Sequence, residues 1–285
     1  MASYLRPTSL AEALDHLSAA NQNAPQPVIL AGGTDFFPAR VGRAVDDDIL
    51  DLTGIPDLRG ITEADDGWRI GATTTWTEVA NADLPPVFDA LRAAARVVGG
   101  VQIQNSGTVA GNLCNASPAA DSVPPLLAMR ARLELASVKG KRELPLGDFI
   151  TGNRRTTLKP GEIVSAILVP KPRKEAHSVF LKLGAREYLV ISIAMVAVVL
   201  EVENNVISAA SVAVGACSAV AQRLPYLEAE LIGRRLNAAL VNRVEPAQFE
   251  ALQPIDDIRA SAAYRREAAV VLVRRALTLL GKKGA

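Results

Sequence analysis

The sequence predicts an α+β protein in two parts. Helical patterns at 8–20 and 85–98 are interspersed with short β-branched runs such as 28–30 and 163–169. Three strand-like runs, 179–183, 192–202 and 207–214, then follow one another at the spacing of an antiparallel meander, with helical stretches around 225–236 and 260–280 behind them. Between the two halves lies KPRKEAHS at 171–178, a charged, proline-bearing break, and the division between domains is placed near 176.

The length of 285 residues suits about two domains with ample core. A net charge of +1 gives no argument for a nucleic-acid or anionic-membrane partner. Cys114 and Cys217 form no disulfide framework and fit a reducing compartment. Two cysteines cannot hold an iron–sulfur cluster, which takes about four thiolates. His16 and His177 are the only histidines, which excludes a multi-histidine metal site. The N-terminal stretch lacks the pattern of a signal peptide, and LVISIAMVAVVL at 189–200 is too short to span a bilayer. A soluble, cytoplasmic protein is expected.

In order, Ser9 and Glu12 have capping-box spacing at the start of the 8–20 helix, where Leu10, Leu14 and Leu17 share a face. The short strand 28–30 runs into AGGTDFFP at 31–38, a bare-backbone turn centred on Gly32 and Gly33. It lacks G-x-G-x-x-G spacing, so a Rossmann fingerprint fits poorly. Residues 46–48 read as a solvated acidic run, 49–52 and 68–73 as strands. The 85–98 helix carries Leu91, Ala94, Ala95 and Val98 on one face and is stopped by Gly99 and Gly100. A short apolar helix is expected near 125–129, a strand at 132–138, and a polar connection over 146–162. The last helix reads as an amphipathic cap whose arginines, Arg265, Arg266, Arg274 and Arg275, form a solvated basic face.

The chain is organised around 105–121, NSGTVAGNLCNASPAAD, read as a turn-forming loop. Gly107, Ala110 and Gly111 leave the backbone bare, so amide N–H groups can approach an anion. Thr108, Asn112, Asn115 and Ser117 add neutral donors, and no Lys or Arg lies inside the stretch. Alternatively, it is a glycine turn between packed elements. Two such turns in one half of a chain, at 31–38 and 105–121, suit a pyrophosphate held from both sides, hence a dinucleotide.

AGGTDFFP, IGATTTWTEVA at 70–80 and TVAGNLCNASPAAD at 108–121 resemble the FAD-binding medium subunits of molybdenum hydroxylases, the carbon monoxide and xanthine dehydrogenase family. The resemblance continues through LKLGAREYLVISIAMVAV at 181–198 and GACSAVAQRLPYLEAELIG at 215–233. It implies a two-part FAD-binding domain of the vanillyl-alcohol-oxidase type over 1–175, subdivided at about 57/58, and a small antiparallel sheet with helices over 176–285. It also implies non-covalent FAD, since neither histidine lies in a matching loop and Cys114 is the only nearby thiol. Iron–sulfur clusters and molybdopterin are implied in partner subunits only: a small and a large subunit, in a heterotrimer or dimer of heterotrimers.

By position, the resemblance implies that Ile29, Leu30, Ala31, Gly32, Gly33, Thr34, Asp35 and Phe36 wrap the pyrophosphate, with the Thr34 hydroxyl helping. Thr108, Gly111 and Asn112 receive its other side. Cys114 sits against the isoalloxazine ring, with Val98 and Gly99 on the ring's other side. Ala120 and Asp121 lie at the ribose or adenine end, Val164 covers the adenine or ring edge, and Lys182 reaches a flavin carbonyl. The other reading of Lys182 is an edge-strand lysine in water. Leu189 and Val190 stand where some NAD-using relatives carry an acidic pair, so NAD is not implied as acceptor. The implied role is electron transfer with no catalytic side chain; the alternatives are a self-contained flavin oxidase or a non-catalytic assembly subunit.

Overall fold

The computed structural model describes residues 2–23 and 26–282. The chain begins with β1 (Tyr4–Leu5), α1 (Leu10–Asn23), β2 (Val28–Leu30) and β3 (Ile49–Asp51), and the strands form a parallel sheet in the order β1-β3-β2. Ser9 caps α1, its hydroxyl accepting from the Glu12 N–H at 3.2 Å. Leu14 and Leu17 then bury against Leu50, Leu52, Ile55 and Leu58. The connection from β2 to β3 carries the first glycine turn. Within 46–48, Asp47 pairs with Arg40, and Asp48 accepts from Ser3.

A five-stranded antiparallel sheet follows, built from β4 (Ile61–Glu63), β5 (Gly67–Gly71), β6 (Arg132–Ser137), β7 (Gly140–Pro145) and β10 (Ile163–Pro170), in the order β4-β5-β10-β6-β7. Between β5 and β6 the chain runs through α2 (Trp76–Asn81), α3 (Asp89–Ala95), α4 (Val101–Ser106), α5 (Val109–Asn115) and α6 (Val123–Ala128). The expected 85–98 helix is a 3-10 turn, Pro86–Phe88, followed by α3, which ends at Ala95. The Gln104 side chain donates to the Arg96 carbonyl, and Gly99 takes φ +56°, so the chain turns before Val98 can extend the helix. The short α4 leads into 105–121, and the expected loop contains α5. Thr108 is the α5 N-cap and Ala116 its left-handed terminus at φ +48°. The polar connection over 146–162 holds α7 (Leu146–Phe149) and a hairpin of β8 (Ile150–Gly152) and β9 (Arg155–Thr156).

The last part is an antiparallel sheet of β11 (Glu175–Leu183), β12 (Ala194–Glu203), β13 (Val206–Gly215) and β14 (Gln222–Arg223), with α8 (Pro225–Leu231) and α9 (Ala262–Gly281). Residues 175–178 are strand rather than break, because Glu175 to Ser178 pair with Val202 to Val199. The apolar run in β12 reflects burial on both faces. Met195, Ala197 and Val199 join the core shared with α3 and α6, whereas Ala194, Val196, Val198 and Leu200 join a second core closed by α9. Arg265 departs from the expected solvated face. It is 3% exposed and donates to the carbonyls of Ile193 and Ala216 and to Asp257. Arg266, Arg274 and Arg275 are exposed as expected, and Arg266 and Arg274 also donate to the carbonyls of Leu252 and Val244. Among the described residues no helix is long and apolar enough to cross a membrane.

Candidate functional site

The two glycine stretches meet. A Cβ built on Gly32 would lie 1.9 Å from the Ser106 carbonyl oxygen and 2.8 Å from Gly107 Cα, so only glycine allows the limbs this contact. Gly33 takes φ +66°, which turns the chain back toward Phe37. The second limb is held by the 70–80 segment. Val109 and Ala110 donate N–H bonds to the carbonyls of Thr74 and Ala72, and Trp76 donates to that of Gly107. Thr75 caps α2 through a complete capping box with Glu78.

Beside this junction lies a cleft of about 580 Å³, a size that suits a nucleotide-like ligand. Ile29, Leu30, Ala31, Gly32, Gly33, Thr34, Asp35, Phe36, Val98, Thr108, Gly111, Asn112, Cys114 and Val164 line it; Gly99, Ala120, Asp121 and Lys182 do not. The limbs differ chemically. Among the described residues, none of the N–H groups of Gly32 to Phe36 donates a hydrogen bond within the protein. In the second limb, Val109, Ala110, Gly111 and Asn112 all donate internally, Gly111 to the Thr108 hydroxyl. The Val109 to Asn112 amides are thus bonded inside the protein, contrary to the expectation that this backbone receives the pyrophosphate. Among the described residues the Thr108 N–H donates no hydrogen bond within the protein, and the Thr108 hydroxyl and the side-chain amides of Asn112 and Asn115 also line the cleft, Asn112 Oδ1 accepting from Ser122.

Three charged residues line the cleft: Asp35, Arg40 and Arg154. Arg40 is committed to Asp47, to the Phe36 carbonyl and to the face of the Phe36 ring at 3.8 Å. Arg154, at the tip of the β8–β9 hairpin, is the functional candidate the sequence reading missed. Its N–H donates to the Ala116 carbonyl at 2.9 Å, and its guanidinium bridges Asp35 of the first limb and Asn115 at the end of α5. The only sequence signal was an Asn-Arg pair of two-residue hairpin length between Gly152 and Arg155. Cys114 is open to cleft water yet set deep among protein atoms, and that burial pushes its thiol up to about 12. It is therefore a neutral thiol at neutral pH.

Lys182 is not in water. Its Nζ lies 2.6 Å from Asp121 Oδ2 and 3.5 Å from the Val97 carbonyl oxygen, and its side chain is 10% exposed. Ser192 donates to the other Asp121 oxygen at 2.6 Å. Burial pushes the Asp121 carboxyl up, against the pull of Lys182 and Ser192. The pair ties β11 to the 116–122 segment and, through the Val97 carbonyl, to the residue before cleft-lining Val98. Among the described residues no group of His, Cys, Asp and Glu could hold a metal ion.

These features fit an FAD group. Open amides and a guanidinium suit a diphosphate, and apolar walls including Trp76, Val98, Leu158 and Val164 suit flat rings. Comparison with known proteins agrees. A family described as the FAD binding domain in molybdopterin dehydrogenase matches residues 1–172, and one described as the CO dehydrogenase flavoprotein C-terminal domain matches 180–280. The chain is 32% identical to the xanthine dehydrogenase FAD-binding subunit of Escherichia coli O157:H7, over 93% of this chain and 90% of that protein. It is 31% identical to the glyceraldehyde dehydrogenase medium chain of Sulfolobus acidocaldarius, over 96% of each. Its fold superposes on a chain of reconstituted CO dehydrogenase from Oligotropha carboxidovorans with a TM-score of 0.89 and 28% identity, covering 100% of this chain and 99% of that one.

Proposed function

The chain belongs to the family of FAD-binding subunits of molybdopterin dehydrogenases, and from that premise we propose that it is the electron-transfer subunit of such a complex. It takes electrons from iron–sulfur clusters of a small partner subunit, fed by a molybdopterin-bearing large subunit, and passes them to an external acceptor. A heterotrimer or its dimer, a cytoplasmic setting and a division of the chain at 175/176 belong to the same proposal.

The open amides of Gly32 to Phe36, at the closed junction of the two limbs, are the observation that carries this reading. Fixed N–H dipoles with no internal acceptor suit a diphosphate that stays in place through many turnovers. The Thr34 and Thr108 hydroxyls and the Asn112 amide add neutral donors, while Val98 and Val164 keep water from the apolar end. FAD, when bound, supplies the redox chemistry, and the protein binds and orients it. No side chain is assigned as a general acid or base; the neutral Cys114 thiol is suited to packing against a ring rather than attacking it.

Anaerobic mixing of the FAD-loaded chain with substrate tests the assignment. The isolated chain keeps its flavin oxidised, and adding the iron–sulfur and molybdenum subunits brings flavin bleaching. Bleaching of the isolated chain by substrate alone would overturn the reading in favour of a self-contained oxidase.

A further inference from the structure

We propose that Arg154 is a phosphate-binding residue, held on Asp35 and Asn115 and transferred to the diphosphate when the dinucleotide enters. The inference rests on the FAD reading above and adds a cation to a site whose sequence suggested neutral donors alone.

Four observations carry it. First, of the three charged residues lining the cleft, two are cations, and Arg40 is fixed by Asp47, a carbonyl and a ring face. Arg154 is the cation left to respond to a ligand. Second, its place is defined by backbone rather than by its charge. The Arg154 N–H is bonded to the Ala116 carbonyl, and the β8–β9 pairing holds the hairpin, so the side chain can change partner without moving its root. Third, its present partner is weak. The Arg154 and Asp35 side chains are 56% and 54% exposed, and water screens ion pairs that are so exposed. Fourth, its target is adjacent. The guanidinium touches the carboxylate of Asp35, whose own N–H is one of the open amides. An anion held by those amides would lie beside it and would repel the Asp35 carboxylate.

The exchange has a physical direction. A diphosphate offers a guanidinium two charged oxygens in the geometry of its paired N–H groups, and such charge-assisted pairs are among the stronger hydrogen bonds. Asp35 is then the competitor that keeps the cation in place before the ligand arrives. Removing Arg154 and removing Asp35 should therefore act in opposite directions, which a purely structural strap across the cleft would not produce.

Titration of the flavin-free full chain with FAD at a series of KCl concentrations, followed by flavin fluorescence, tests this. Arg154→Gln should weaken FAD about tenfold or more at low salt and flatten the dependence of Kd on salt. Arg154→Lys should keep most of that salt dependence, and Asp35→Asn should bind FAD at least as tightly as the wild type. Thermal unfolding of each variant separates lost affinity from lost fold. If Arg154→Gln keeps the wild-type affinity and salt slope, or if Asp35→Asn weakens FAD as much as Arg154→Gln does, the proposal falls. A wild-type chain that binds no FAD would overturn the functional reading itself.

Discussion

Lys182 Nζ on β11 lies 2.6 Å from Asp121 Oδ2, in the segment between α5 and α6, and both side chains are nearly closed to solvent. Two parts of the chain are thus joined by a buried ion pair. Breaking a buried pair from one side leaves an uncompensated charge, which costs about 3–5 kcal/mol. Asp121→Asn should therefore lower the denaturation midpoint strongly. Asp121→Asn combined with Lys182→Met should recover much of the loss, since no stranded ammonium remains. Urea unfolding of the two single variants and the double variant checks this; additive losses would show that the two residues act separately.

Gly32→Ala is expected to separate the two limbs. The added Cβ would overlap the Ser106 carbonyl, a backbone atom with no rotamer to yield. Both the contact and the amide cradle depend on that approach. Flavin occupancy of the purified variant, read from its absorbance, should fall far below that of the wild type. Gly33→Val should have the same effect by another route, since φ +66° is poorly tolerated by a β-branched residue. Full occupancy in either variant would remove this turn from the site.

Glu162 gives the chain an acid-side weakness. Arg142 grips its carboxylate through Nε at 2.7 Å and Nη2 at 2.8 Å, and the Lys159 N–H adds a third bond. The Arg142 hydrogen bonds hold the carboxyl below its ordinary range, against the opposing effect of burial. A carboxylate with a depressed folded-state pKa contributes stability that is full above its unfolded pKa and is lost as pH falls through the folded value. The Tm difference between wild type and Glu162→Gln should thus be largest near neutral pH and shrink below about pH 4. A difference that stays constant into acid would contradict the assignment.

Much of this arrangement was legible in the sequence because it is local. The leucines of α1, the strand 28–30, the meander and the two glycine turns are all patterns within a few residues. The misses depend on contacts that the residue patterns do not show. The helix expected over 85–98 ends at Ala95, where the Gln104 side chain takes the Arg96 carbonyl, and a separate short helix, α4, follows the glycines. Thr108 caps a helix hidden in a glycine-rich stretch, and the N–H groups of Val109 to Asn112 go to Thr74, Ala72 and Thr108 instead of to a ligand. Arg265 reads as solvated from its own helix, and only the carbonyls of Ile193 and Ala216 show why it is buried. Arg154 carries no motif; it matters because a hairpin places it between Asp35 and Asn115.

The central claim is that this cleft holds one FAD per chain without a covalent bond. Acid precipitation of the purified chain, followed by mass analysis of the flavin in the supernatant and the pellet, tests it most directly. One FAD per chain in the supernatant above a colourless pellet is the predicted result. A colourless supernatant, or a pellet that stays yellow because flavin is attached to Cys114, would contradict it.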